Sequence, residues 1–441
     1  MPSNWEVVKL EDVAARHASA MATGPFGSSI SAKYFTDSGV PVIRGSNLSA
    51  DVSIRLIDEG LVFVSFDKAK EFQRSIVRRG DLVFTCWGSI NQVGLIDESA
   101  TFDEYIVSNK QMKLTLDPSR ADPRFVYYVF SGPEKQSEIL ENGIGSSVPG
   151  FNLGQLRSHR IYLPPLAEQQ AISGLLKNFD DRIDLLRQTN ATLESIAQAL
   201  FKSWFIDFDP VRAKAEGREP EGMDADTAAL FPSEFEESEL GAIPKRWRVG
   251  GVYDIADIIY GAPFASKQFN SEGIGLALVR IRDLKDETPG VWTPEVHPKG
   301  YKLRPGDIVV GMDGEFRAHL WGGDEAWMNQ RICVFKPING HSATFVRLAI
   351  AAPLAHVEAT ETATTVIHLG KGDIDRFRIV VPPPTVAAAF TNVGQPLYDS
   401  IVSGKRTARL LSELRDTLLP RLISGKLRIT EAMEQVEEAL T

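Results

Sequence analysis

The side chains best suited to chemistry in this chain are guanidinium, amide, ammonium and hydroxyl groups at the ends of short β-rich runs. In the first third they are Lys33, Arg44, Ser46 and Asn47, then Trp87, Ser89, Asn91 and Gln92, then Asn109, Lys110 and Gln111. A second set follows in the same order: Lys267, Arg280 and Arg282, then Arg317 and His319, then Asn329, Gln330 and Arg331. Such groups at loop tips are what reading a nucleic acid requires, because forked donors match base edges while hydroxyls and amides grip phosphate. Arg44 and Arg280 rank first, since they hold matching positions ahead of short polar turns. Ser146 and Ser147, flanked by Gly145 and Gly150, suit holding a phosphate backbone. Taken singly, each of these residues is better explained as a solvated surface group, so the weight falls on their repeated order.

Covalent chemistry finds less support. A methyltransferase acting on an exocyclic amine calls for an Asp/Asn-Pro-Pro-aromatic element and a Gly-rich cofactor turn. Here Pro164-Pro165 follows Leu163 and Pro382-Pro383 follows Val381, which suits the start of a helix. Gly143-Ile144-Gly145 lacks the third glycine of a dinucleotide turn. The 7 histidines and 2 cysteines are scattered, with no spacing that closes a zinc site. Asp307 and Glu315 could suggest a nuclease pair, but Asp307 belongs to a Gly-Asp turn and Arg317 stands where a lysine is wanted.

What must position the two sets is a long internal repeat, at an offset drifting from about 242 to about 218 as surface-loop insertions would produce. Asn4-Trp5-Glu6-Val7 pairs with Arg246-Trp247-Arg248-Val249, and Gly24-Pro25-Phe26-Gly27 with Gly261-Ala262-Pro263-Phe264. Val40 to Leu48 matches Leu276 to Leu284, and Arg79-Gly80-Asp81-Leu82-Val83-Phe84 matches Pro305-Gly306-Asp307-Ile308-Val309-Val310. Gly-Asp turns with β-branched and aromatic runs behind them read as strands. Each copy closes on a strand and a double proline, after which helical periodicity begins. Ile183, Leu186, Asn190, Leu193, Ala197, Leu200 and Trp204 alternate by three and four as a heptad seam. Ile401, Gly404, Ala408, Leu411, Arg415, Leu418 and Leu422 hold the equivalent positions, with Gly404 and Arg415 breaking the second seam.

The predicted class is therefore α+β: two mixed α/β globules at 1–165 and 244–384, and long antiparallel coiled-coil helices within 166–208 and 385–425. An acidic linker at 209–243, with a short helix at Asp224 to Leu230, and a tail at 426–441 complete a pseudo-twofold repeat. A helix from Asp180 to Trp204 would be about 38 Å long, close to one turn of B-DNA, about 34–36 Å. Such a spacer would let two globules meet one face of a duplex about a turn apart.

The net charge of −10 seems adverse to DNA, but its location matters. Lys plus Arg against Asp plus Glu is 17 to 19 over residues 1–165, 17 to 16 over 244–384 and 7 to 7 over 385–441. The middle, 166–243, holds 7 against 16 and is the poorest candidate for touching phosphate. No apolar run approaches a membrane span, and the first residues lack a secretory pattern. A reducing cytoplasm is expected.

The run Leu163 to Ile172, then Phe179-Asp180-Asp181-Arg182-Ile183-Asp184, Ala199 to Phe205 and Phe208-Asp209-Pro210 resembles the central region of type I restriction-modification specificity subunits. Ala229-Leu230-Phe231-Pro232, Glu237 to Pro244, and Leu418 to Leu427 are similar to further segments of that family. The resemblance implies two target-recognition domains, each reading half of a bipartite double-stranded DNA sequence. It also implies two methyltransferase subunits, which methylate adenine with S-adenosylmethionine, and restriction subunits driven by ATP and Mg. On that resemblance the chain itself binds no cofactor and is no enzyme, and a methyltransferase contact is expected near Trp204 and Phe205. A protein-interaction scaffold of two repeated modules is the alternative.

Overall fold

The computed structural model describes residues 4–145, 149–360 and 367–440. The chain divides into two compact units, Met1–Asp184 with Leu410–Thr441, and Leu185–Arg409. Each long helix contributes a stretch to both: Leu166–Phe205 and Pro384–Ile423, of 40 residues each, run about 60 Å at 1.5 Å per residue. The first starts directly after Pro164-Pro165 and the second with Pro384. Proline at a helix start loses no hydrogen bond that the helix would have made.

In the first unit, strand Glu6–Lys9 pairs antiparallel with Arg160–Leu163, tying the start of the globule to its end. A four-stranded sheet takes the order Met21–Thr23, Gln111–Leu114, Leu82–Thr85, Val93–Leu95. A five-stranded sheet includes Val40–Ile43 parallel to Glu104–Val107. In the second unit the same plan recurs. Arg248–Gly251 pairs with Arg378–Val381, and a sheet runs Ala256–Tyr260, Ile332–Pro337, Ile308–Gly311, Ala318–Leu320. Leu276–Val279 lies parallel to Ala326–Met328. The frame is fixed identically at one close approach. A Cβ on Gly24 would lie 1.8 Å from the Ser108 carbonyl oxygen, and one on Gly261 would lie 1.9 Å from that of Asn329.

All the expected seam positions are buried or half-buried, and in each unit the helices pack antiparallel. In the second unit Phe201, Trp204 and Phe205 meet Phe390, and Asn190 faces Gly404, where an added Cβ would stand 2.4 Å from the Asn190 Oδ1. In the first unit Asp180 of one helix accepts from Arg415 of the other at 2.8 Å. The two residues that break the second apolar seam are therefore its specific contacts. Asp180 also accepts from the Arg55 guanidinium at 2.9 Å and the Tyr128 hydroxyl at 2.5 Å, and Asp97 stands 3.3 Å from Arg55. Burial works against the charge on Arg415, yet its hydrogen bond to Asp180 and the attraction of Asp180 and Asp416 hold it above its ordinary value.

Two expectations are corrected. The acidic stretch 209–243 is folded: it forms helices Asp209–Ala215 and Ala225–Ala229 and the hairpin Phe235–Ser238 with Gly241–Pro244. Its sparse apolar residues, Val211, Phe231 and Ile243, are buried in the core of the second unit with Phe208 and Trp247. The short helix stands where the sequence placed it, capped by Asp224. Trp204 and Phe205, expected at a partner contact, are also core residues, packed on Phe231, Trp247 and Phe390, so their rings face neighbours of their own unit.

Removing the carboxylate shared by two buried guanidiniums leaves Arg55 with Asp97 alone and Arg415 with the exposed Asp416 alone, and breaking such a buried pair costs about 3–5 kcal/mol. Asp180→Ala is expected to lower the stability of the full chain by that amount in urea unfolding. A loss below about 1 kcal/mol would show that the network is dispensable.

Candidate nucleic-acid interface

The highest-ranked pair, Arg44 and Arg280, occupies one and the same local geometry. Each follows a strand and precedes a single 3-10 turn, with backbone angles of −119°, 175° at Arg44 and −118°, 167° at Arg280. The turn is closed by a side chain three residues on: Asn47 Oδ1 accepts from the Arg44 amide at 3.0 Å, and Asp283 Oδ2 from the Arg280 amide at 2.9 Å. Asn47 is thereby buried, donating also to the Ile57 carbonyl at 2.9 Å. It shapes the loop and does not reach outward, contrary to its assignment as a DNA contact. The two copies differ in charge. Asp283 takes the Arg280 Nε at 3.2 Å, whereas Arg44 donates to the Gly60 carbonyl at 3.0 Å and its Nε has no partner.

In the first unit a recess of about 470 Å³ gathers Arg44, Ser46, Trp87, Ser89, Gln92 and Lys110, with Asn109 and Gln111. Its floor is the end of strand Leu82–Thr85 beside Gln111. Ser89, Asn109 and Lys110 are exposed on its rim, and Gln92 is held by a bond to the Leu48 carbonyl at 3.1 Å. Thr85, which the sequence reading passed over as strand, lines it too; the hydroxyl is buried without a partner. Asn91 is half-buried outside this group, and Lys33 is exposed with its ammonium 4.6 Å over the Tyr34 ring. Ser146 and Ser147 lie outside the described residues.

The second set is more dispersed. Lys267, Arg282 and Gln330 are exposed and Asn329 is half-buried. Arg331 approaches Asp313 at 3.6 Å, and Asp313 holds His368 at 2.7 Å. Arg317 and His319 instead line a separate cavity of about 480 Å³ with Asn190, Glu194, Arg347 and Lys405. Its cations are already neutralised: Arg317 by Glu358 at 2.6 Å, Arg347 by both oxygens of Glu194, and Lys405 by Glu287. That makes it a structural crevice and a poor anion site.

With this geometry in hand, residues 2–195 match the family model described as type I restriction modification DNA specificity domain. That span is similar to the DNA specificity domain of type I restriction-modification systems. The type I restriction enzyme MjaIX specificity subunit of Methanocaldococcus jannaschii is 24% identical over 444 residues, covering 98% of this chain and 95% of that protein. The HindI specificity subunit of Haemophilus influenzae is 24% identical over 418 residues, covering 80% and 88%. The crystal structure of a type I system S subunit from M. genitalium shares the fold, with a TM-score of 0.57 at 15% identity, covering 95% and 96%. The matched span includes every residue that lines the first recess. Among the described residues no group of three or more His, Cys, Asp or Glu stands together as a metal site. Cys86 and Cys333 are buried, and burial pushes both thiols up to about 12, so neither is poised as a nucleophile. No described helix is long and apolar enough to cross a membrane.

Burial, and behind it the charges of Lys405, Arg347 and Arg317, holds the His319 imidazole below its ordinary value of 6.5. The folded state then binds fewer protons than the unfolded one, so this contribution to stability is complete above about pH 6.5 and is lost as the pH falls below it. The drop in Tm between pH 7.5 and 5.5 is expected to be smaller in His319→Gln than in the unaltered chain. An equal drop would place the imidazole in solvent.

Proposed function

We propose that this chain reads a bipartite DNA sequence, one half with the strand-end loops of residues 1–165 and the other with those of 244–384, and directs partner methyltransferase and restriction subunits to that site. The observation that carries this reading is the duplicated arginine turn, Arg44 and Arg280, on a frame that repeats down to one glycine contact. A chain that needs the same loop geometry twice, with different side chains around it, is suited to reading two different short sequences. It is a recognition subunit and not a catalytic one.

The internal twofold repeat is best matched by two methyltransferase subunits, one per unit. S-adenosylmethionine, ATP and Mg belong on this reading to the partners, and the assembly works in the cytoplasm. Because the globules are near neutral, the isolated chain is expected to bind DNA weakly, with its partners supplying much of the phosphate contact and hence most of the salt dependence.

Two measurements test this. Exchanging residues 1–165 for those of a relative should alter one half of the methylated sequence, read by methylome sequencing, and leave the other intact; a change in both or neither half sinks the two-reader model. Arg44→Ala should weaken binding by the full complex about 5- to 150-fold, a loss of about 1–3 kcal/mol, at one half-site only. A scaffold that binds protein alone would give a complex with no salt-sensitive DNA affinity.

A further inference from the structure

The recess of the first unit holds more than an edge-reading loop needs. Trp87 is mounted flat against the chain: a Cβ on Gly150 would lie 2.6 Å from its ring, and Gly88 donates to the Pro149 carbonyl at 3.1 Å and Phe151 to that of Cys86 at 2.8 Å. Trp87 nevertheless remains 46% exposed, on the wall of the recess. Thr85 lies deeper, 2% exposed, with its hydroxyl unpartnered. Phe26 stands on an adjoining loop and is 95% exposed. That loop is tied down: Ser29 donates to the Phe26 carbonyl at 2.7 Å, and Asn109, from the rim of the recess, to the Gly27 carbonyl at 2.9 Å. An apolar ring held fully in water on a braced loop, beside a recess with a mounted aromatic wall, has the parts needed to open a base stack and receive what leaves it.

The repeat supplies an internal comparison. In the register that pairs Gly24 with Gly261 and Gly80-Asp81 with Gly306-Asp307, Pro263 replaces Phe26, Gly311 replaces Thr85 and Asp313 replaces Trp87. Phe264, the nearby aromatic, is folded beneath Trp327 and His297, and Asp313 is engaged by His368 and Arg331. Wedge, platform and free hydroxyl are present together in one copy and absent together from the other.

Resting on the reading of this chain as a DNA reader, we infer that the first unit extrudes one nucleobase of its half-site, with Phe26 entering the gap in the stack and the base lying on Trp87 inside the recess. Arg44 and Thr85, both lining the recess, are then donors for its polar edge. The second unit reads without extrusion. A nucleobase is favoured over a protein side chain because the ligand must be planar to cover the mounted ring and must carry hydrogen-bonding groups to meet Arg44 and Thr85.

The test uses the full chain with its methyltransferase partner, and duplexes in which one opposing base at a time is removed across both half-sites. Taking away the pairing partner makes extrusion cheaper, so binding should tighten, by about tenfold or more, at one position in the half-site assigned to residues 1–165. Trp87→Ala should weaken binding to the intact duplex about 10- to 100-fold, the span expected for one base on one aromatic. It should abolish that gain, while Trp87→Phe retains it. Phe26→Ala should weaken the intact duplex more than the one lacking the partner base, since the wedge is needed only where pairing resists. Dependence on Trp87 separates this position from the adenine that the partner subunit itself turns out. The inference is overturned if no position gains, if the gain survives Trp87→Ala in a chain of unchanged Tm, or if the other half-site shows an equal gain. It is overturned too if Phe26→Ala weakens methyltransferase association without DNA. Each of those outcomes leaves salt-sensitive, sequence-specific binding in place; loss of that binding in the unaltered complex would instead defeat the reading on which the inference rests.

Discussion

A carboxylate with no exposed surface is the constraint around which the first unit is built. Asp180 sits on one long helix, Arg415 on the other, Arg55 on a loop of the globule and Tyr128 on the helix Pro123–Ser131. In a low-dielectric interior each of these groups is costly alone, and together they offset one another. Sliding either helix by one residue would carry Asp180 or Arg415 to the wrong face and leave a buried charge unpaired. The network therefore selects one register where an apolar seam would tolerate several. It does the same for the globule, since Arg55 reaches Asp180 only when its loop is seated. The second unit has no such charge: the equivalent seam positions are Tyr398 and Ala197, and its register is marked by shape, with Asn190 over Gly404, and by the Arg347–Glu194 pair on its flank.

This explains which features were legible in the sequence. Strands, turns and the repeat follow from local pattern, and nearly every repeated segment became a strand in the same sheet order. Gly404 and Arg415 were read as defects because a heptad count scores them only as lost apolar contacts. Their partners lie more than 200 residues away and are invisible to any window. The acidic segment 209–243 misled for a related reason. Its composition is that of a linker, yet a few large apolar side chains, Phe208, Val211, Phe231 and Ile243, suffice when a neighbouring core offers them a place. Composition averages over what burial uses one residue at a time. Trp204 and Phe205 are expected at a partner contact only through the family resemblance, and their rings are instead covered by Phe231, Trp247 and Phe390 of the same unit.

At the candidate site, chemistry was more legible than role. Most polar residues of the first set converge on one recess because they follow the strands Val40–Ile43, Leu82–Thr85 and Glu104–Val107, whereas Lys33, Asn47 and Asn91 do not line it. Asn47 and Asp283 show the limit of such reading: both are polar residues in a loop, and both turn inward to close the backbone. Thr85 shows the converse, a residue hidden inside a strand pattern whose hydroxyl the sheet leaves without a partner.

The two copies together show how one frame carries two different sets of side chains. Main-chain geometry is held by contacts that tolerate no side-chain change, such as the approach of Gly24 to Ser108 and of Gly261 to Asn329. Exposed positions just beyond, such as residues 26, 46 and 87, carry little of the core, so their substitution costs the frame little. The difference between Asn47 and Asp283 changes the local charge without moving the chain: the amide leaves the Arg44 charge unpaired by its own turn, while the carboxylate takes up part of that of Arg280. Divergence of the two copies therefore required no new fold, only exchange of the side chains that the sheets present and do not use.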